Sequence, residues 1–325
     1  MTSSSMVARL TEKAATILLM PGVWTMCAAI PLCAYKSLKG TPYLGYLAAA
    51  YGTWYVWDLR SPFTKGGWAV QWVRRLTWYR LVADYHNFQV KIEDKKGVAD
   101  AAKKAPVIFA CHPHGVMCAG PFHTFGFDHC RGAQKEFPDV SWRVMTIKAT
   151  FFAPIWREWT ETLGFIDASR SSAKAALKRG HSLVLVPGGA AEALLGGDLQ
   201  PALILNKRKG FCKLAIQNDV SAIVPCFTFG ENELFDVLDL GALTKGINKF
   251  TKAVAGMTVP FMTSMVPKRK DPTTVMGKPV LLSKLKEATV EGQIEELHAM
   301  YVKGLQEVYD KHRKEFGYGE LRIAE

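Results

Sequence analysis

Between residues 107 and 229, short apolar runs alternate with helix-patterned segments, and few folds accept such an alternation. The runs VIFAC (107–111), WRVMTIK (142–148), GFIDA (164–168), SLVLVP (182–187) and AIVPCFTF (222–229) have the length of buried strands. Between them, APIWREWTETL, SSAKAALKRG and KGFCKLAIQND carry apolar residues at helical spacing. Strands that alternate with helices predict an α/β fold, a mainly parallel sheet flanked by helices. In such sheets, ligands bind beyond the carboxyl ends of the strands. Near the C-terminus, EGQIEELHAMYVKGLQEVYDKHRKEFG places apolar residues at 294, 297, 301, 305 and 308, the stripe of one long helix.

The first predicted strand ends in His-Pro-His-Gly, His112 to Gly115. Three roles are open to it. His112 and His114 share a strand face and suit a metal, but HExxH and a second carboxylate-rich motif are both absent, so no metal is expected. A plain turn is the second role, since Pro113 extends the residue before it and Gly115 permits a reversal. The third is general-base catalysis, in which a neutral imidazole takes a proton from an alcohol as it attacks a carbonyl. With no GxSxG elbow in the chain, a serine acyl-enzyme is not indicated. Cys111 and Cys118 lie among apolar neighbours that hold a thiol protonated.

Upstream, the 22 residues between Lys13 and Lys36 contain no charge and, as a helix, extend about 33 Å, close to a bilayer core. A second uncharged run of 17 residues ends at Asp58. We expect a tail (1–13), a membrane hairpin (14–58) that either spans or dips, bent at Pro21 and Pro31, and one catalytic domain (59–325). Six of the nine tryptophans fall in the first 80 residues, as at a membrane–water interface. The stretch WAVQWVRRLTWYRLV (68–82) reads equally as an interfacial helix or one packed on the core. The net charge of +12 favours anionic headgroups or phosphate-bearing substrates; no nucleic-acid module is present, so no nucleic-acid partner is expected. The seven cysteines have no CxxC pairing and read as reduced thiols facing the cytosol.

Five blocks in order, HPHG (112–115), FFAPIWREW with GFIDASR (151–170), VLVPGGAAEAL (184–194), RKGFCKLAIQNDVSAIVPCFTFGENELF (208–235) and MGKPV (276–280), resemble the diacylglycerol acyltransferase type 2 family. That family includes monoacylglycerol and wax-alcohol acyltransferases. The resemblance runs from about residue 55 to 317. It implies an acyl-CoA-dependent enzyme of the endoplasmic-reticulum membrane, its site facing the cytosol or a lipid droplet surface, that esterifies diacylglycerol to triacylglycerol. Acyl-CoA is then a substrate and no cofactor is required; membrane lipids are partners and homo-oligomerisation stays open. Alternatives are a monoacylglycerol or long-chain alcohol acceptor, or a non-catalytic lipid-droplet-binding protein.

The resemblance places catalysis on His112 or His114. More distantly, the blocks resemble glycerolipid acyltransferases with an HxxxxD pair, and here the chain departs. Met117 and Ala119 stand five residues after the two histidines, so an orienting carboxylate must come from elsewhere. Glu192 is the first candidate and Glu158 the second. Lys207, Arg208 and Lys209 before Gly210 suit the phosphates of CoA at a helix start. Gly115 or Gly188 and Gly189 would offer amides to an oxyanion. Arg170 either binds phosphate or pairs with Asp167. Glu231 follows another strand end, where it serves the same edge or caps the next turn.

Overall fold

The computed structural model describes residues 32–33, 35–58, 69–128, 131–189, 191–192, 201–238, 240–255, 261–264 and 266–324. The apolar run before Leu32 lies outside them. The expected elements form as β2 (Val107–His112), β3 (Trp142–Thr146), β4 (Phe165–Asp167), β5 (Ser182–Leu185) and β7 (Ala222–Phe229). They lie side by side in the order β7-β2-β5-β3-β4, every pair parallel. Two strands that the apolar pattern did not mark extend this block. β10 (Thr273–Met276) pairs antiparallel with β7, and β1 (Gln89–Ile92) adds to it in parallel.

Pro225 explains a break in that antiparallel edge. β7 is buried along its whole length, yet proline has no N–H for a neighbouring strand. β10 pairs with residues 226–229, and β11 (Val280–Leu281) pairs with 222–223. The turn between them passes Pro225, whose carbonyl accepts Gly277 N–H at 2.8 Å. A Cβ on Gly277 would come within 2.3 Å of Val308, so only glycine lets the chain pass.

Helices cover both faces. One core packs α5 (Arg170–Lys178), α6 (Gly210–Gln217) and α8 (Val290–His312) on the sheet through Ala173, Ala176, Phe211, Ala215 and the 297/301/305/308 stripe. The other gathers Tyr79 of α2 (Thr77–His86) and Val98 and Ala101 of α3 (Lys95–Lys104) beneath Phe109, Val184 and Val224. The stretch 68–82 is not one helix: it breaks at Arg75 between a short turn, Gln71–Arg74, and α2. Arg74 points inward, 3% exposed, because Asp128 and the carbonyls of Phe125 and Leu163 satisfy its guanidinium.

The second uncharged run is helix α1 (Pro42–Asp58), which buries none of its residues fully. Tyr51, Tyr55 and Asp58 form its docking face. Tyr51 Oη accepts Ile155 N–H at 2.7 Å and donates to Glu158, Tyr55 donates to the Phe152 carbonyl, and Asp58 pairs with buried Arg157 of α4 (Trp156–Thr162). Tyr43, Tyr46, Leu47 and Trp57 remain exposed. Among the described residues, no helix is long and apolar enough to cross a membrane.

Candidate active site

Beyond the carboxyl ends of β2, β3, β4 and β5 lies a cavity of about 540 Å³. Its walls are mostly apolar, including Phe122, Ile147, Phe165, Val184 and Phe211, and His114, Arg170, Gly189 and Gly210 also line it. Such a space suits an acyl chain better than a polar metabolite, because an apolar wall rewards burial of methylenes and leaves polar groups unpaired.

The two histidines have different surroundings. His112 closes β2, is 0% exposed and does not line the cavity. Its Nδ1 lies 3.5 Å from Glu192 Oε1, and neither ring nitrogen has a hydrogen-bonding partner among the described residues. A cis peptide joins it to Pro113. His114 does line the cavity. Its Nδ1 is 2.7 Å from the Gly115 carbonyl, an acceptor only, so Nδ1 carries the proton and Nε2 keeps the lone pair. With Nδ1 protonated, Nε2 of this cavity-lining histidine can accept a proton.

Two buried carboxylates hold this turn. Glu192 accepts His114 N–H at 3.0 Å with Oε2 and Ile204 N–H at 3.0 Å with Oε1, tying the histidine turn to β6 (Ala202–Ile204). A Cβ on Gly188 would stand 1.9 Å from Glu192, so the glycine of Pro-Gly-Gly makes room for that carboxylate. Glu231, 2% exposed, accepts Ala119 N–H at 2.8 Å and Gly120 N–H at 2.7 Å. Burial pushes its pKa up to about 7 against the pull of those two donors. Gly115, at φ +57°, packs so closely on Glu231 that a Cβ would approach its Cγ to 2.5 Å.

The remaining candidates separate. Arg170 and Gly210 line the cavity, at the first turns of α5 and α6. Asp167 accepts Ser169 N–H at 2.8 Å, and Ser169 caps the start of α5 by accepting Ser172 N–H with its side chain. Lys207 and Arg208 are exposed outside the cavity lining, and Lys209 reaches Glu295 at 2.6 Å. Glu158 does not line the cavity; it accepts the Tyr51 hydroxyl at 2.9 Å and so anchors α1. Gly189 N–H is committed to the Val186 carbonyl at 3.1 Å. The reach of Glu231 back to residues 119–120 had one trace in the sequence, an acid directly after a strand end on the same edge. Among the described residues, no cluster of three or more metal-ligating side chains occurs.

A mostly apolar cavity lined by a histidine, at the carboxyl edge of a parallel sheet, marks an α/β protein whose site accommodates an apolar ligand. Sequence comparison makes the class specific. The diacylglycerol acyltransferase family matches residues 41–322. Diacylglycerol O-acyltransferase 2 of Xenopus tropicalis is 32% identical over 297 residues, 87% of this chain and 80% of that protein. Diacylglycerol O-acyltransferase 2B of Umbelopsis ramanniana is 32% identical over 307 residues, covering 89% and 85%. The Homo sapiens diacylglycerol O-acyltransferase 2 is 31% identical over 294 residues, covering 86% and 74%. The chain belongs to the diacylglycerol acyltransferase family. Among solved structures, the 1-acyl-sn-glycerophosphate acyltransferase PlsC from Thermotoga maritima aligns over 91% of this chain and 98% of its own at a TM-score of 0.43 and 11% identity.

Proposed function

We propose that this protein transfers a fatty acyl group from acyl-CoA to the free hydroxyl of diacylglycerol, forming triacylglycerol. The observation that carries the reading is His114 lining the apolar cavity, with Nδ1 bonded to the Gly115 carbonyl. In the proposed mechanism, Nε2 takes the acceptor O–H proton as that oxygen attacks the thioester carbonyl. The amides of Gly115 and Gly188 stabilise the oxyanion. Collapse of the tetrahedral species breaks the C–S bond, and the CoA sulfur leaves with the proton returned by His114.

Glu192 is a positioning residue here, holding the His114 backbone and standing beside His112. Arg170 and the amino end of α6 receive CoA phosphates at the cavity edge, while Lys207 and Arg208 raise the local concentration of the anionic donor. Acyl chains enter from a membrane that α1 contacts, on the cytosolic side of the endoplasmic reticulum or on a lipid droplet, the exposed Tyr43, Tyr46 and Trp57 lying at the interface.

The test uses membranes from a host without triacylglycerol synthesis that expresses this chain. Labelled oleoyl-CoA is supplied with diacylglycerol, monoacylglycerol or hexadecanol. We expect labelled triacylglycerol, reduced about 10²- to 10⁴-fold by His114→Ala. Ester from another acceptor alone would keep the mechanism and change the substrate. Normal turnover in folded His114→Ala protein would remove His114 as the base.

A further inference from the structure

His114 keeps the lone pair on Nε2 only while one peptide group stays in place. The carbonyl of Gly115 accepts the Nδ1 proton at 2.7 Å. That carbonyl belongs to the peptide joining Gly115 to Val116, and glycine, here at φ +57°, does little by itself to stop such a peptide from turning over. Turned over, the peptide would present the Val116 N–H where the carbonyl oxygen now stands. Nδ1 would then accept, and the single N–H of a neutral imidazole would pass to Nε2, where it blocks proton acceptance.

The restraint on this peptide comes from a distant strand end. Glu231 follows β7 and Gly230 and is 2% exposed. One carboxylate oxygen accepts Ala119 N–H at 2.8 Å, and the other accepts Gly120 N–H at 2.7 Å. The same side chain lies against the Gly115 backbone, where a Cβ would stand 2.5 Å from its Cγ and 2.6 Å from Oε1. One side chain therefore grips both ends of the segment 115–120. Between the two grips, Cys118 holds φ 57° and ψ 41°, a left-handed conformation that costs a residue with a Cβ. The histidine itself is fixed separately, because Glu192 accepts its backbone N–H.

The charge on Glu231 is costly to the fold. Burial pushes its pKa up to about 7, so above that pH the ionised form lowers stability, and a glutamine of the same shape would avoid the cost. A glutamine, however, has one acceptor oxygen, and its amide nitrogen only donates. It cannot meet one backbone N–H with each of its two terminal atoms, as the carboxylate does. We propose that Glu231 is a positioning residue for the acyl transfer: by clamping residues 115–120 it holds the Gly115 carbonyl toward His114 Nδ1 and keeps Nε2 open for the acceptor's proton. Glu231 does not line the cavity and acts through the backbone. Its effect on turnover rests on His114 being the base of the proposed reaction; its effect on the tautomer does not.

The test compares the full chain with its Glu231→Gln variant in mixed detergent–lipid micelles at about pH 8, where an ordinary imidazole is neutral. Histidine-selective ¹⁵N labelling separates protonated from unprotonated ring nitrogens, and the signals missing from His114→Ala identify His114. In the parent chain, Nδ1 should carry the proton and Nε2 should not. In Glu231→Gln, the form protonated at Nε2 should appear. Its kcat with labelled oleoyl-CoA and diacylglycerol should fall about 10- to 100-fold, with KM changed by less than about twofold. Its thermal unfolding should come no lower than that of the parent, an outcome that a merely structural role would reverse. Should the glutamine variant not fold, Glu231→Asp keeps the charge but is one methylene too short to reach both amides, and carries the same expectations for tautomer and kcat. A parent His114 protonated at Nε2 would overturn the proposal, as would an unchanged tautomer or an unchanged kcat in the folded variant. A rise in KM alone would also overturn it, assigning Glu231 to substrate binding. If the parent makes no ester from any acceptor, the proposed reaction fails, and the tautomer comparison still decides what Glu231 does.

Discussion

The helix Ala242–Ala255, α7, and helix α8 have the same kind of sequence and opposite placements. Each carries apolar residues at helical spacing with charge on the remaining arc. In α8, Leu297, Tyr301, Leu305 and Val308 turn inward and are 0–1% exposed against the sheet. In α7, Leu243 and Phe250 turn outward while Thr244 and Asn248 are buried. Periodicity therefore establishes that a helix has an apolar face, but not whether that face is meant for the protein's own core or for another medium. The hydrophobic effect rewards removal from water by either route.

The comparison breaks most visibly under a charge. Leu305→Asp in α8 places an unpaired carboxylate in the core and should cost more than about 4 kcal/mol, enough to unfold the protein. Thermal unfolding in detergent should show that loss, and little change for Leu243→Asp in α7. Matching losses would mean that the two faces are equally internal.

Buried polar groups sharpen the contrast, because they register pH. Glu231 titrates at about 7 in the folded chain against an ordinary 4.5. A raised carboxylate pKa means that the folded state holds its proton to higher pH than the unfolded chain does. Its contribution is therefore full below about pH 4.5 and is lost as pH rises to about 7, by about 3 kcal/mol. Denaturant midpoints across that range should fall with pH, and Glu231→Gln should remove this part of the slope. An unchanged slope in the variant would place the titration elsewhere.

A smaller effect belongs to the inward polar face of α7. Thr244 Oγ1 accepts Leu240 N–H at 2.8 Å, and Thr244→Val should cost about 1 kcal/mol in a chemical unfolding series. A more stable valine variant would show that this face prefers apolar groups after all. Smallest of all, Phe250→Ala should change stability in detergent by no more than about 0.5 kcal/mol, against 2–5 kcal/mol for Leu305→Ala. A loss of several kcal/mol at Phe250 would place it in the core.

Much of the frame was legible in the chain. The five parallel strands stood out because strands covered on both sides are continuous apolar runs. β1 and β10 did not, because QVKI and TTVM mix polar and apolar residues and become strands only through distant pairing. The basic stretch 68–82 left an interfacial and a core-packed helix equally open, and only the convergence of Asp128 and two carbonyls on Arg74 makes this arginine internal. At the site, the His-Pro-His-Gly turn and Glu192 were visible as chemistry-bearing residues, and the cavity-facing position of His114 was not.

By itself, then, the sequence determined the alternation of strand and helix, the turn that ends β2, and the family, because these depend on local pattern and on the order of residues along one chain. Tertiary structure decided which histidine meets the cavity, that Glu192 and Glu231 both hold the turn from distant segments, and which way α7 faces. Those outcomes depend on what residues far apart in the chain bring within a few ångströms, and burial and charge take their meaning only there.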